Sequence, residues 1–337
     1  MGSHFMINNE LKIRNLSTSS DVFNLTANLQ DKLNIPEFIF DFSDLNFAKT
    51  VATALLAREL RWFVNHRKNN NLMTYCKGHD SPSNRAVKYL AFIGFFDFIG
   101  LKDCGNPMRT EAEADRNYTA ITQYDYRRFK SIEEVDVYRK AYDYINDEAG
   151  KISKLLTKGS SRDRILQYAI RETMRNAYEH STSVNFHVLG QCWANGGVEL
   201  VIMDGGVGLQ KTLNHKYPHI DSEEKAIKEA IKPGVSGRDF DVNNEYDNSG
   251  FGLYVLSEFA KKYGQIFIAS NDCMIQLSRS GEIIKKVCPT QGTLVGLHFS
   301  SIPESYPEEL SEIIIRGDQI SGQGTYPIHP SKNTWNF

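Results

Sequence analysis

The sequence predicts an α+β protein made of two successive α/β units, and three observations carry that reading. Between residues 37 and 94, strand-like apolar runs alternate with runs of helical period. From about 155 to 300, a second and longer series of helices and strands is punctuated by glycine-rich turns. Residues 104–118, between the two series, are polar and turn-rich. At roughly 150 residues per domain, a chain of 337 residues has room for about two.

Glu37-Phe38-Ile39-Phe40-Asp41-Phe42 reads as a strand. A helix follows over about Phe47 to His66, with Val51, Leu55, Leu56, Leu60 and Phe63 at helical spacing. Lys68-Asn69-Asn70-Asn71 is a polar turn, and Leu72 to Cys76 reads as a second strand. A second helix over Ser83 to Ile93 stops at Gly94, where a glycine is expected. Strand, helix, strand, helix in so short a stretch predicts a small α/β domain over 30–103. Residues 104–154 are expected to be a connector, with a strand over Thr119 to Phe129 and a helix over Ile132 to Leu156. Lys158-Gly159-Ser160-Ser161 breaks that helix, and Ser161 is placed to cap the next one. Met1 to Met6 reads as a cloning scar, and residues 301–337 as a C-terminal tail.

Composition excludes several classes. With 41% hydrophobic and 24% charged residues the chain has an ordinary globular balance. Its richest apolar run, Tyr89 to Leu101, is short and contains Asp97, so no membrane span is expected. The five cysteines are scattered, with no C-x-x-C pair, which fits a reducing cytoplasm rather than a disulfide framework or a zinc site. A net charge of −2 gives no indication of non-specific nucleic-acid binding.

The chemistry-bearing segments lie in the second unit. In a helix over Arg162 to His180, Glu172, Asn176 and His180 share one face, while Ile165, Leu166, Ala169, Ile170 and Met174 form an apolar side. A carboxylate one turn before an amide suits a water-orienting base and an oxygen ligand for Mg²⁺. Val198 to Met203 reads as a strand that delivers Asp204 into Gly205-Gly206-Val207-Gly208. There the glycines let a planar ligand approach the main chain, and a carboxylate can accept an exocyclic amine. Asn248-Ser249-Gly250-Phe251-Gly252-Leu253 precedes a helical run over Tyr254 to Tyr263, a pattern suited to phosphate. Gln291-Gly292-Thr293 opens a strand to Phe299.

In this order, E-x-x-x-N, D-x-G-x-G, G-x-G-L and G-T resemble the four boxes of the gyrase, chaperone, histidine-kinase and MutL (GHKL) family, over residues 155–300. The resemblance implies an α/β sandwich, a mixed sheet with helices on one face, binding ATP and Mg²⁺. It also implies roles: Glu172 the general base, Asn176 the Mg²⁺ ligand, Asp204 the adenine-reading carboxylate beside Gly206 and Gly208. Gly250, Phe251, Gly252 and Leu253 match the phosphate loop, and Thr293 the threonine near adenine. The lid is expected over Leu209 to Ser249, with a helix over Glu223 to Ile231 and with Lys232 or Arg238 meeting the γ-phosphate.

Departures narrow the choice. Gly205 to Thr212 approaches a Walker A loop, but Gln210 stands where its last glycine must be. No histidine has the setting of a phosphoacceptor: His66 precedes Arg67-Lys68, His79 lies in a turn, and His180 belongs to the nucleotide helix itself. About 37 residues follow Ser300, too few for the transducer domain of gyrase-like members. The N-terminal unit is similar to a STAS domain, although Lys49-Thr50 stands where anti-sigma antagonists carry Asp-Ser. The expected function is a Mg-ATP-dependent ATPase switch, cytoplasmic and regulatory, with a protein partner docking on the N-terminal domain and a homodimer as the family's common assembly. The alternatives are a serine/threonine kinase of the anti-sigma type and a non-hydrolysing ATP-binding module.

Overall fold

The computed structural model describes residues 9–101, 117–125, 134–158, 163–180, 183–238, 249–300, 306–323, 328–330 and 335. Several expectations lie outside these residues: Met1 to Met6, the Ser161 cap, Asn248, the side chain of His180 and the lid positions 239–248. Two compact units divide the chain, Met1–Glu113 and Ala114–Phe337.

The first unit opens with β1 (Glu10–Lys12), β2 (Asn15–Leu16) and α1 (Ser19–Thr26). Then come β3 (Glu37–Asp41), β4 (Phe47–Ala48), α2 (Thr50–Asn69), β5 (Met73–Lys77), α3 (Arg85–Phe92) and α4 (Phe95–Phe98). β3 is the middle of a three-stranded sheet, parallel to β1 on one side and β5 on the other. The folded unit therefore reaches upstream of residue 30, where a three-residue strand and a two-residue strand are too short to show a period. Phe47 and Ala48 pair with Asn15 and Leu16 instead of starting the helix, which begins at Thr50. The helical apolar positions Val51, Leu55, Leu56, Leu60 and Phe63 are all buried, and Gly94 takes the left-handed conformation after α3. Thr50 is fully buried with its hydroxyl 3.3 Å from the Tyr89 hydroxyl, so a phosphoryl group cannot reach it without opening the unit.

Phe38 and Phe40 from β3 and Phe63 from α2 form a cluster of tilted and edge-on rings. Arg67 is fully buried beside it, over the faces of Phe38 and Phe63. Its guanidinium donates to the carbonyls of Leu33 (3.0 Å), Ile35 (2.5 Å) and Met73 (2.5 Å) and to the Thr74 hydroxyl (2.9 Å). One side chain thus satisfies the turn before β3 and the start of β5.

The second unit runs β6 (Tyr118–Asp125), α5 (Glu134–Thr157), α6 (Asp163–His180), β7 (Asn185–Cys192) and β8 (Val198–Asp204). It continues with α7 (Leu209–Asn214), α8 (Glu223–Ala230), α9 (Gly252–Tyr263), β9 (Gly264–Ser278), β10 (Gly281–Phe299) and α10 (Tyr306–Gly322). The five strands are ordered β6-β7-β8-β10-β9. All four pairings are antiparallel, which corrects the mixed sheet expected. The crossover through α9 returns β9 in the direction of β8, but β10 folds back as a hairpin and lies between them. Val198, Leu200 and Ile202 on β8 share one core with side chains of α5, α6, α9 and α10. β6 and α5, expected as a connector, belong to this unit, because β6 pairs with β7 and α5 packs on α6. α10 occupies much of the expected tail.

Arg67→Met should lower the unfolding free energy by about 3 kcal/mol or more, since several buried carbonyls lose their donor together. Urea denaturation followed by far-UV circular dichroism measures this. A loss under about 1 kcal/mol would mean that those carbonyls find other donors.

Candidate functional site

A cavity of about 790 Å³, counting its open mouth, lies in the second unit. Segments far apart in sequence build it: Thr173, Asn176 and Ala177 from α6, Asp204 and Gly208 after β8, Gly250, Gly252 and Leu253 at the start of α9, and Thr293 on β10. Its apolar lining includes Ile202, Leu213 and Val295.

Each side chain is positioned by its element. β8 is buried along its length and releases Asp204, half-buried, at its end. The Gly206 N–H donates to Asp204 Oδ1 at 2.7 Å, so one oxygen is engaged by the turn. Gly292 (φ +98°) lies against the main chain of Asp204 and Gly205; an added Cβ would stand 2.8 Å from Gly205 Cα. That close approach brings Thr293 beside Asp204. Gly250 (φ +76°) lets the loop before α9 press on the backbone of Val235, where a Cβ would sit 2.6 Å from the carbonyl oxygen.

Two helices begin at this cavity, and their N-terminal N–H groups differ. At α7 the Leu209 N–H donates to Ser270 Oγ (2.8 Å) and the Gln210 N–H to Glu223 Oε2 (3.1 Å). Asn271 Nδ2 in turn donates to Glu223 Oε1 and to the Val207 carbonyl (3.2 Å). The positive end of α7 is therefore already answered by a protein carboxylate. At α9, Phe251 makes no side-chain cap.

Glu172 stands apart from the lining. It is 2% exposed, and its Oε1 accepts from Arg171 Nε and pairs with Arg171 Nη2, both at 3.1 Å. Its other oxygen lies over Gly252, where an added Cβ would stand 2.6 Å away. Arg175 and Glu179 continue this buried line of alternating charge with a 2.9 Å ion pair. Burial opposes the charge on Arg175, yet the neighbouring Glu179 and Glu172 carboxylates leave its pKa raised. Burial, with help from Glu172, also pushes the Tyr168 phenol well above its ordinary range.

Of the positions singled out in the sequence, Asn176, Asp204, Gly208, Gly250, Gly252, Leu253 and Thr293 meet at the cavity. Others sit elsewhere. Gly206 serves the Asp204 turn. The Phe251 ring is fully buried, edge-on to Tyr254. Lys232 is exposed and ion-paired with Glu229 at 2.5 Å. Arg238 is exposed, its carbonyl accepting from Lys216 Nζ at 3.0 Å. Among the described lining residues there is no Lys or Arg. Sequence reasoning missed Thr173, Thr212 and Ser236; Thr173 follows Glu172 directly, and Ser236 lies within the K-P-G-V-S-G run, the only local signal for either.

No protein-family model, curated protein or solved structure matches this chain.

Gly252→Ala should drive α6 and α9 apart, because the new methyl meets both the carboxylate and the Cβ of Glu172. A loss of about 1–3 kcal/mol in thermal or urea unfolding is expected for such overpacking. Wild-type stability in that variant would show that Glu172 does not rest on Gly252.

Proposed function

We propose that the second unit binds ATP with Mg²⁺ and acts as a nucleotide-dependent switch of the GHKL kind, with hydrolysis slow. The observation that carries this is the convergence of Asn176, Asp204, Gly250, Gly252 and Thr293 on one cavity. Each comes from a different one of the four short motifs or from its repeat glycine, and nothing in chain order requires them to meet.

The chemistry gives the ligand a direction. Asp204 and Thr293 form a polar end beside the apolar walls Ile202 and Val295, suited to a flat base with an exocyclic amine. Phosphates belong at α9, whose N-cap residue Phe251 makes no side-chain cap, and not at α7, where Glu223 already supplies the negative charge. The described lining residues include no Lys or Arg, and on this reading Mg²⁺ accompanies the triphosphate. No group of three or more His, Cys, Asp or Glu that could hold a metal forms among the described residues. The ion would therefore arrive with the phosphates and take Asn176 as a protein ligand, keeping much of its water. The Thr173 hydroxyl, on the same wall, donates to the Ala169 carbonyl at 2.8 Å.

One observation favours the non-hydrolysing reading. Glu172 is buried in an ion pair with Arg171 and does not line the cavity. To act as a base it must leave that pair, so binding and hydrolysis are separable in this protein. The N-terminal unit, similar in its sequence to a STAS domain, is on this reading the docking module for a protein partner.

Asp204→Asn should weaken Mg-ATP binding by roughly ten- to a hundredfold, the cost of about 1.5–3 kcal/mol for losing a charge-assisted hydrogen bond. Calorimetric titration tests this, and unchanged affinity would remove the adenine assignment. Glu172→Gln should retain binding and reduce phosphate release by roughly 10²–10⁴ relative to the wild type. Hydrolysis persisting at the wild-type rate would exclude Glu172 as the base, and an absence of release in both proteins would establish the non-hydrolysing module.

A further inference from the structure

The lid wall of the cavity is Val235, Ser236 and Gly237, and the segment that grips it comes from the C-terminal end of the chain. α10 is anchored on α9 along its length. Leu310, Ile313 and Ile314 enter the shared core, and Arg316 pairs with Glu258 at 2.6 Å. Lys262 pairs with Glu309 at 3.3 Å, while the Tyr263 hydroxyl donates to the same carboxylate. Gly317 lets the helix rest on the rings of Phe251 and Tyr254; a Cβ there would stand 3.2 Å from Phe251 Cε1.

Beyond α10 the chain folds back. The Ser321 hydroxyl donates to the Ile328 carbonyl at 2.5 Å, and His329 Nδ1 lies 2.7 Å from Asp318 Oδ1. Gly234 (φ +77°) is pressed into this return: a Cβ on it would come within 2.7 Å of Ser321 Oγ and 3.2 Å of Ile328 Cβ. The next residue, Val235, meets the backbone of Gly250. The C-terminal segment thus packs on the buried rings at the start of α9 through Gly317, and on Gly234, the residue next to the lining residues Val235, Ser236 and Gly237.

We infer that α10 with Ile328 is a strap that holds lid residues 234–237 in the cavity wall, so that the C-terminal segment sets how fast a bound ligand leaves. Only the choice of ligand probe rests on the nucleotide reading. Ser321 and Ile328 act through the lid and are positioning residues.

The test compares the wild-type chain with its Ser321→Ala/Ile328→Asp double variant. Hydrogen exchange at the amides of 235–237, without ligand, should become about tenfold faster or more, with the amides of β7 and β8 unchanged. Release of a fluorescent ATP analogue with Mg²⁺, followed by stopped flow, should accelerate by a similar factor. Unchanged exchange at 235–237 would overturn the strap. Faster exchange with an unchanged release rate would overturn its control of the ligand. If the wild-type protein retains no analogue, the nucleotide reading falls and the exchange result alone decides the strap. Should the double variant unfold, Ser321→Ala alone removes the closing hydrogen bond and is read in the same way.

Discussion

The second unit depends on the contact between the Glu172 carboxylate and the Cα of Gly252. α6 and the start of α9 approach so closely there that any side chain at 252 would collide. The closeness has an electrostatic cost, because a carboxylate with 2% exposure is stable only when its charge is answered. Arg171 answers it with a 3.1 Å ion pair. One turn further along α6, the same approach carries Asn176 to the cavity wall that Gly250, Gly252 and Leu253 complete. The site geometry follows from this one packing decision. A displacement of α6 by a methyl radius would open the wall between Asn176 and α9.

Much of this could be read in the sequence, and the unread part has physical causes. α2, α6 and β8 were legible because each has a strong local period or a continuous buried run: Val51 to Phe63 on one helix, Ile165 to Met174 on another, Val198 to Met203 on a strand. The meeting of Asp204, Asn176, Gly250 and Thr293 was legible only from their order, since spacing along the chain says nothing of distance in space. β1, β2 and β4 were not legible, being two or three residues long. β7 and β9 were missed because the alternation of Asn185, Phe186, His187 and Val188 ends after four residues at Leu189-Gly190 in one, and Asn271 and Asp272 interrupt the apolar run in the other. The expected mixed sheet failed for a topological reason. A crossover helix does return the chain parallel to β8, but the β10 hairpin arm fills the gap, a choice made by the long β9–β10 pairing.

The side chains nominated for charge fared differently from the glycines. Lys232 and Arg238 were nominated because a lid with two cations near a phosphate makes chemical sense, but a long exposed side chain is satisfied by its nearest acid. Lys232 has Glu229, one helical turn earlier. Glycines cannot be diverted in this way. Gly208, Gly250 and Gly292 are each at positive φ and each against a backbone or a side-chain amide, so their positions record where two segments must touch. In this chain, glycine was the better reporter of the site.

The two helix starts at the cavity show how a fold assigns polarity to an otherwise symmetrical opportunity. α7 and α9 both begin at the same cavity, and the N-terminal N–H groups of either helix attract an anion. At α7 the attraction is satisfied internally: Ser270 and Glu223 take the first two N–H groups, and Asn271, itself at φ +43°, holds Glu223 in place. A second anion there would face a fixed carboxylate at close range. The remaining start, α9, has Glu172 nearby, but that charge is already shared with Arg171, which lowers the repulsion an incoming anion would meet. Arg171 therefore bears on both halves of the proposed switch. By neutralising Glu172 it makes the α9 end hospitable to phosphate, and by the same bond it holds the only nominated base away from the cavity. On that proposal, favouring the bound state and delaying its hydrolysis are both consequences of a single ion pair, which is the behaviour a switch needs if its occupied form is to last.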